Sequence, residues 1–217
     1  MPLIFRESVP DRADVGVWHC TEPEEWLLSG LELLPGDMRL LSGIRNDSRR
    51  LQWLGCRMAL RVLSNDPRVS IRYDDYGRPI SISPPFPVSF SHSGDHAAAV
   101  ISYTGACGID LERIRERILR VADRFLTPPE LSLASGRDRL PILTIFWCAK
   151  EALFKLAGVP GTDIQNHLCI ESFDYLCRGE GELSGLVITG GNVRRIPVKW
   201  RRIGEYMLAL ALGEPNS

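Results

Sequence analysis

Apolar positions change their period several times along the chain, and each change marks a predicted element. From Asn46 to Ser64, "NDSRRLQWLGCRMALRVLS", Leu51, Leu54 and Met58 fall at helical spacing behind N-cap residues, which predicts a helix with a basic flank. The period then shortens. "VSIRYDDYGRPISIS" reads as short extended segments around a Tyr-Gly turn, "PVSFSHS" and "HAAAVIS" as strands around a Gly94-Asp95 turn, and "ACGIDLERI" as a further strand, together a run of antiparallel sheet. An Arg-rich helical stretch follows over residues 113 to 125. "TPPE" at 127 to 130 sets an N-cap threonine before proline at the first helical position and glutamate at the third, as in a capping box, so a new helix begins there. A long helix over roughly residues 139 to 157 ends at Gly158 and Pro160, and "HLCIESF", "GELSGLVI", "RIPVKW" and "YMLALAL" read as strands.

The order helix, strands, helices, strands invites a search for duplication. Setting Arg57 on Lys150 also sets Ala59 on Ala152, Leu60 on Leu153 and Leu63 on Leu156, and each helix is followed by antiparallel strands. Alanine and leucine in helices match by accident often, so the residues alone leave a true repeat open. If real, it makes two similar lobes with a cleft between them and a boundary near Ser102 to Cys107.

The second long helix carries the first candidate chemistry. At about 100° per residue, Ile142, Ile145, Phe146, Ala149, Ala152, Leu153 and Leu156 gather on one side, which predicts the core face. Trp147, Glu151 and Lys155 line the opposite side, with Lys150 adjacent. Of the 26 lysine and arginine residues only Lys150, Lys155 and Lys199 are lysine, so two lysines five positions apart are unusual here. A lysine is a compact point charge suited to a phosphate oxygen, whereas arginine presents a planar fork. The plain alternative is a solvated face with a Glu151 to Lys155 pair contributing about 0.2–0.5 kcal/mol.

"GIDLE" at 108 to 112 is the second candidate. In a strand, Asp110 and Glu112 share one face while Ile109 and Leu111 point into the core. Two carboxylates at that spacing, with no cysteine or histidine at metal spacing, suit magnesium better than zinc; a wet acidic strand face is the alternative. "SFSHSGDH" is the third, where Ser89, Ser91, His92 and Ser93 near a strand end can donate hydrogen bonds to a phosphate. His92 and His96 form H-x-x-x-H, but a zinc pair at that spacing needs a helix, and the Gly94-Asp95 turn argues against one. There is no G-x-S-x-G elbow, Walker loop or dinucleotide fingerprint.

Composition narrows the setting. With 217 residues and 44% hydrophobic content the chain can fill its own core, and a net charge of −1 gives no whole-molecule attraction to nucleic acid or anionic membrane. The six cysteines form no C-x-x-C pair, no basic-then-apolar leader precedes them, and no apolar run reaches membrane-spanning length. A reduced, soluble cytoplasmic protein is expected, with neither nucleic acid nor membrane as partner.

Taken together, "GIDLE" followed by "FWCAKEALFK", with "YGRP" and "SFSHS" before them, resembles the 4′-phosphopantetheinyl transferase superfamily, whose paired signatures are G-[IV]-D-x-E and [FW]-[SC]-x-K-E-[AS]-x-x-K. Length and the faint repeat are similar to the two-lobed, surfactin-synthetase-type branch. The resemblance covers about residues 46 to 158 well. It implies an α+β fold, a pseudo-twofold duplication of two similar lobes (1–104 and 105–217), each a helix packed on a small mainly antiparallel sheet, with the active site in the cleft between them.

The activity it implies is transfer of the phosphopantetheine arm of coenzyme A to a serine of an apo acyl or peptidyl carrier protein, with 3′,5′-ADP as the other product. Asp110, Glu112 and Glu151 would hold magnesium, and Glu151 would complete the metal site or take the serine proton. Lys155 would contact the phosphates, with Lys150 its motif neighbour. Ser91, His92, Arg78, Arg57 and Arg50 match the family's coenzyme A contacts. Family lysines near the N-terminus are missing here, where Arg39 or Arg45 could substitute. The arginines of residues 113 to 130 would suit an acidic carrier helix. A monomer is expected. The competing readings are a non-catalytic relative that binds coenzyme A or a carrier protein, and a structural protein with coincidental salt bridges.

Overall fold

The computed structural model describes residues 2–75, 77–82, 85–171, 173, 175 and 179–214; Tyr76 of the "YGRP" turn and Cys177 lie outside the described residues. The chain divides into two units, one running to Ala106 and the other covering Cys107–Gly213. The architecture is mixed α and β with antiparallel sheets.

In the first unit, β1 (Leu3–Val9) and β2 (Ala13–His19) form a hairpin, α1 (Glu24–Ser29) and α2 (Pro35–Gly43) follow, and α3 (Asp47–Ser64) is the long helix. Asn46 caps α3 by accepting a 2.9 Å bond from the Arg49 amide, as its sequence position predicts. A small hairpin of β3 (Ile71–Tyr73) and β4 (Pro79–Ser81) leads to β5 (Val88–Ser93) and β6 (His96–Ser102). The sheet runs β1-β2-β6-β5, so β6 joins the N-terminal hairpin, in a register that sets Trp18 opposite Ala97 and His19 opposite His96. Leu54, Met58, Leu60 and Leu63 of α3 pack into a core shared with Trp18, Ala97, Ala99 and Ile101. Each such leucine contributes about 1.5–3 kcal/mol by leaving water.

In the second unit, β7 (Cys107–Arg113) is followed by α4 (Pro128–Leu133), α5 (Arg139–Ala157), β8 (Leu168–Ile170), β9 (Glu180–Thr189), β10 (Asn192–Ile203) and β11 (Tyr206–Leu212). The sheet order is β7-β11-β10-β9-β8. The predicted helix over 113 to 125 is instead two short 3-10 turns, Glu116–Arg120 and Ala122–Arg124. The capping box of Thr127 and Glu130 forms as read, and α5 ends at Gly158 with φ 57°, a left-handed conformation that glycine adopts without strain.

The predicted core face of α5 is buried throughout: Ile142, Ile145, Phe146, Ala149, Ala152, Leu153 and Leu156. The strand beneath it keeps the expected alternation and is buried on both faces. Ile109 and Leu111 are fully buried, but α5 covers the other face of β7, the one bearing Gly108, Asp110 and Glu112. The reason is Gly108. A Cβ there would lie 1.9 Å from the carbonyl oxygen of Ala152, so only a residue without a side chain lets helix and strand come so near. Opposite Gly108 and Asp110 on β11 stand Ala211 and Ala209, which keep the same face low.

No helix among the described residues is long and apolar enough to cross a membrane. Gly108→Ala is expected to destabilise the protein by about 1–3 kcal/mol or more, because the obstructing atom is backbone and cannot rotate away. Urea unfolding checks this, and an unchanged midpoint would refute the close-approach argument.

Candidate active site

β7 presents Asp110 and Glu112 one pleat apart, and α5 lays Trp147, Glu151 and Lys155 over them at four-residue spacing. Lys155 Nζ donates 2.7 Å to Asp110 Oδ1 and 2.9 Å to the carbonyl of Ile109, tying the helix to the strand. The Trp147 indole packs edge-on against Phe125 and donates 3.2 Å from Nε1 to Glu112 Oε1, which accounts for an aromatic on the polar side. Burial, with Asp110 and Glu112 close by, pushes the Glu151 carboxyl up to about 7, against the opposing pull of Lys155.

These four charged side chains place three carboxylates around one ammonium, an excess of two negative charges when all are ionised. The donors are oxygens; the Cys148 thiol beneath them is buried, and burial together with Asp110 and Glu112 raises it well above the usual thiol range. By charge and donor type the set fits a hard divalent cation. Asp110 Oδ1 accepts from Lys155 and Glu112 Oε1 from Trp147.

Lys150 does not join them. Expected beside Lys155 on the wet face, it is fully buried, with Nζ 2.8 Å from Glu130 Oε2 and 2.8 Å from the Phe125 carbonyl, and bonded also to the carbonyls of Ile164 and Gln165. The helix is covered on this side by the 3-10 turns and by the segment after Gly158, neither of which shows in the period of α5 itself. Burial lowers the Lys150 pKa, and Glu130 opposes that shift.

In the first unit Ser91 is buried on β5, and His92 is half-buried beside it. Arg49 Nη1 lies 2.9 Å from His92 Nδ1. A guanidinium can only donate, so Nδ1 accepts and a neutral His92 carries its proton on Nε2. Arg78 is exposed and pairs with Asp74 at 2.6 Å. Arg57, expected to reach phosphate, is 5% exposed: its guanidinium stacks 3.1 Å over Trp53 and bonds Asp37 of α2 and the Tyr73 hydroxyl. Arg50 is likewise engaged, in a two-point pair with Glu24 and in bonds to the carbonyls of Leu41 and Ile44. Both arginines fasten α3 to the helices before it. Arg39 and Arg45 are exposed.

Both signature stretches fall within residues 106–191, which match the family model of the 4′-phosphopantetheinyl transferase superfamily. A holo-[acyl-carrier-protein] synthase of Dehalococcoides mccartyi is 34% identical over 122 residues, 52% of this chain and 98% of that relative. The chain belongs to the 4′-phosphopantetheinyl transferase superfamily. Among further relatives, the 4′-phosphopantetheinyl transferase AcpT of Escherichia coli is 31% identical over 138 residues, 60% of this chain and 68% of its own length. A 4′-phosphopantetheinyl transferase of Bacillus subtilis is 24% identical over 163 residues, 73% of this chain and 70% of its own.

For this superfamily member, sequence reasoning passed over two residues. Adjacent arginines at a helix start give no sign of which turns inward; Arg50 does, and Arg49 meets His92. Glu130 stands in the sequence as a cap, yet its one carboxylate serves both the capping box and Lys150.

Lys150→Met is expected to destabilise the transferase by about 3–5 kcal/mol, the cost of leaving a buried Glu130 without its cation. Urea unfolding measures it. Were Lys150 instead a phosphate contact, the variant would keep its stability and lose affinity for coenzyme A.

Proposed function

We propose that this protein transfers the 4′-phosphopantetheine moiety of coenzyme A to a serine of an apo acyl or peptidyl carrier protein, giving holo-carrier protein and 3′,5′-ADP. The observation that carries the reading is the 2.7 Å Lys155–Asp110 pair, which brings the two separate signature stretches into one site with Glu112 and Glu151 beside it. The names of the relatives support it: a holo-[acyl-carrier-protein] synthase and 4′-phosphopantetheinyl transferases.

In this reading the carrier serine oxygen attacks the phosphorus that bears the pantetheine arm. A P–O bond to serine forms as the P–O bond to the departing 3′,5′-ADP breaks. Magnesium bound by Asp110, Glu112 and Glu151 would supply charge neutralisation at the pyrophosphate. Glu151 takes the serine proton, directly or through water, or serves as metal ligand alone. Lys155, standing between strand and helix, offsets charge on the leaving phosphate once it exchanges Asp110 for the substrate. Ser91, His92 and Arg78 contact coenzyme A, with Arg49 added to them; Arg50, Arg57 and Lys150 hold structure instead.

We also propose the two-lobed, surfactin-synthetase-type architecture, with lobes 1–104 and 105–217 related by duplication. In its support, about half of this chain spans nearly all of one relative, and each unit sets one long helix on an antiparallel sheet. We place the protein in the cytoplasm as a monomer, with neither nucleic acid nor membrane as partner; the net charge of −1 supports the first of these exclusions.

The test is intact-mass spectrometry of several apo-carrier proteins incubated with the protein, coenzyme A and magnesium. The expected result is a magnesium-dependent phosphopantetheine mass gain, abolished in Asp110→Ala while circular dichroism stays native. Near-normal turnover by Asp110→Ala would sink the metal assignment. No gain on any carrier, with coenzyme A still bound, would favour the non-catalytic relative.

A further inference from the structure

The first unit brings together a second set of metal-ligating groups, unrelated to the signature stretches. His19 ends β2 and His96 begins β6, cross-strand partners whose rings stack with centroids 4.5 Å apart. Asp95, in the two-residue turn between β5 and β6, reaches both: Oδ2 lies 3.0 Å from His19 Nε2, and Oδ1 lies 2.8 Å from His96 Nδ1. Among the described residues, these three offer ligand atoms that all lie within 4.8 Å of one another.

We propose that His19, Asp95 and His96 form a binding site for a first-row divalent transition metal of the zinc class. Two imidazole nitrogens and a carboxylate suit such an ion and not magnesium. With metal–ligand bonds of about 2.0–2.1 Å, neighbouring ligand atoms in a tetrahedral or octahedral sphere stand about 2.8–3.4 Å apart, and the two nitrogen–oxygen separations, one to each carboxylate oxygen, fall in that range. An ion entering here replaces these two hydrogen bonds.

The backbone carrying the ligands is fixed from several sides. The Cys20 amide donates 2.7 Å to the Asp95 carbonyl, the His19 amide donates 2.8 Å to the Pro2 carbonyl, and Gln52 Nε2 of α3 donates 2.7 Å to the Gly94 carbonyl. Gly94 takes φ 58°, which a two-residue hairpin turn demands at its first position. Access comes from solvent, with the side chains of Asp95 and His19 58% and 35% exposed and that of His96 12%. Three protein ligands and an open side leave the remaining positions to water. The Cys20 thiol packs against α3 at Gly55.

The test is titration of the purified full chain with Co2+ in saturating Mg2+, followed by visible absorption and by calorimetry. Expected is a single Co2+ site with nitrogen and oxygen ligation, displaced by Zn2+, and a melting temperature raised by either metal. His19→Gln and Asp95→Asn should each weaken it by more than about tenfold, the least that loss of even an outer partner costs. Asp110→Asn should leave it intact. No uptake by the folded wild-type protein would leave only a hydrogen-bonded His–Asp–His cluster and overturn the site. So would uptake unchanged in His19→Gln and Asp95→Asn, or a thiolate-to-cobalt band pointing to cysteine.

Discussion

How close α5 can come to β7 governs the carboxylate site. Gly108 lets the helix backbone approach to where any Cβ would collide with the Ala152 carbonyl, and only at that range does Lys155 reach both Asp110 and the Ile109 carbonyl. The glycine of the "GIDLE" stretch is therefore a spacing device. Its two carboxylates are usable because a side chain is missing next to them, and the helix that brings Glu151 is held there by the lysine one turn further along.

That proximity sets the electrostatics. Burial, with Asp110 and Glu112 close by, raises the Glu151 carboxyl to about 7 even with the Lys155 ammonium among the three carboxylates. A site in that condition has an unmet demand for positive charge. The same helix shows the opposite arrangement one residue earlier, where the Lys150 charge is matched inside the core and its remaining donors are met by carbonyls.

The sequence made the periodic elements readable. α3 with its Asn46 cap, the Thr127 capping box, the burial of one face of α5 and the strands from β5 to β11 all followed from spacing and turn residues. What failed depended on partners distant in the chain. Alternation told that Asp110 and Ile109 face opposite ways but not which way the helix lies, and that answer was written in Gly108. Lys150 looked exposed because its cover comes from residues 125 and 164 to 165, outside any helical window. The stretch 113 to 125 has helix-forming arginines yet tightens to 3-10 turns. His96 neighbours His92 in sequence, whereas the ring it stacks on is His19, supplied by an N-terminal hairpin that the pattern does not announce.

Glu130 has a consequence of its own. Its carboxylate receives the Thr127 amide at the head of α4, the Lys150 ammonium in the middle of α5 and the Ile170 amide on the edge strand β8, from residues 3, 20 and 40 positions away. A single side chain thus joins three elements that could otherwise loosen one at a time. Fraying of the short edge strand withdraws a bond from the group that neutralises the buried lysine, so the disturbance is felt in the helix carrying Glu151. This part of the chain should open as one cooperative block, and the rigidity of the carboxylate site is partly maintained from a sheet edge to which none of its own residues belongs.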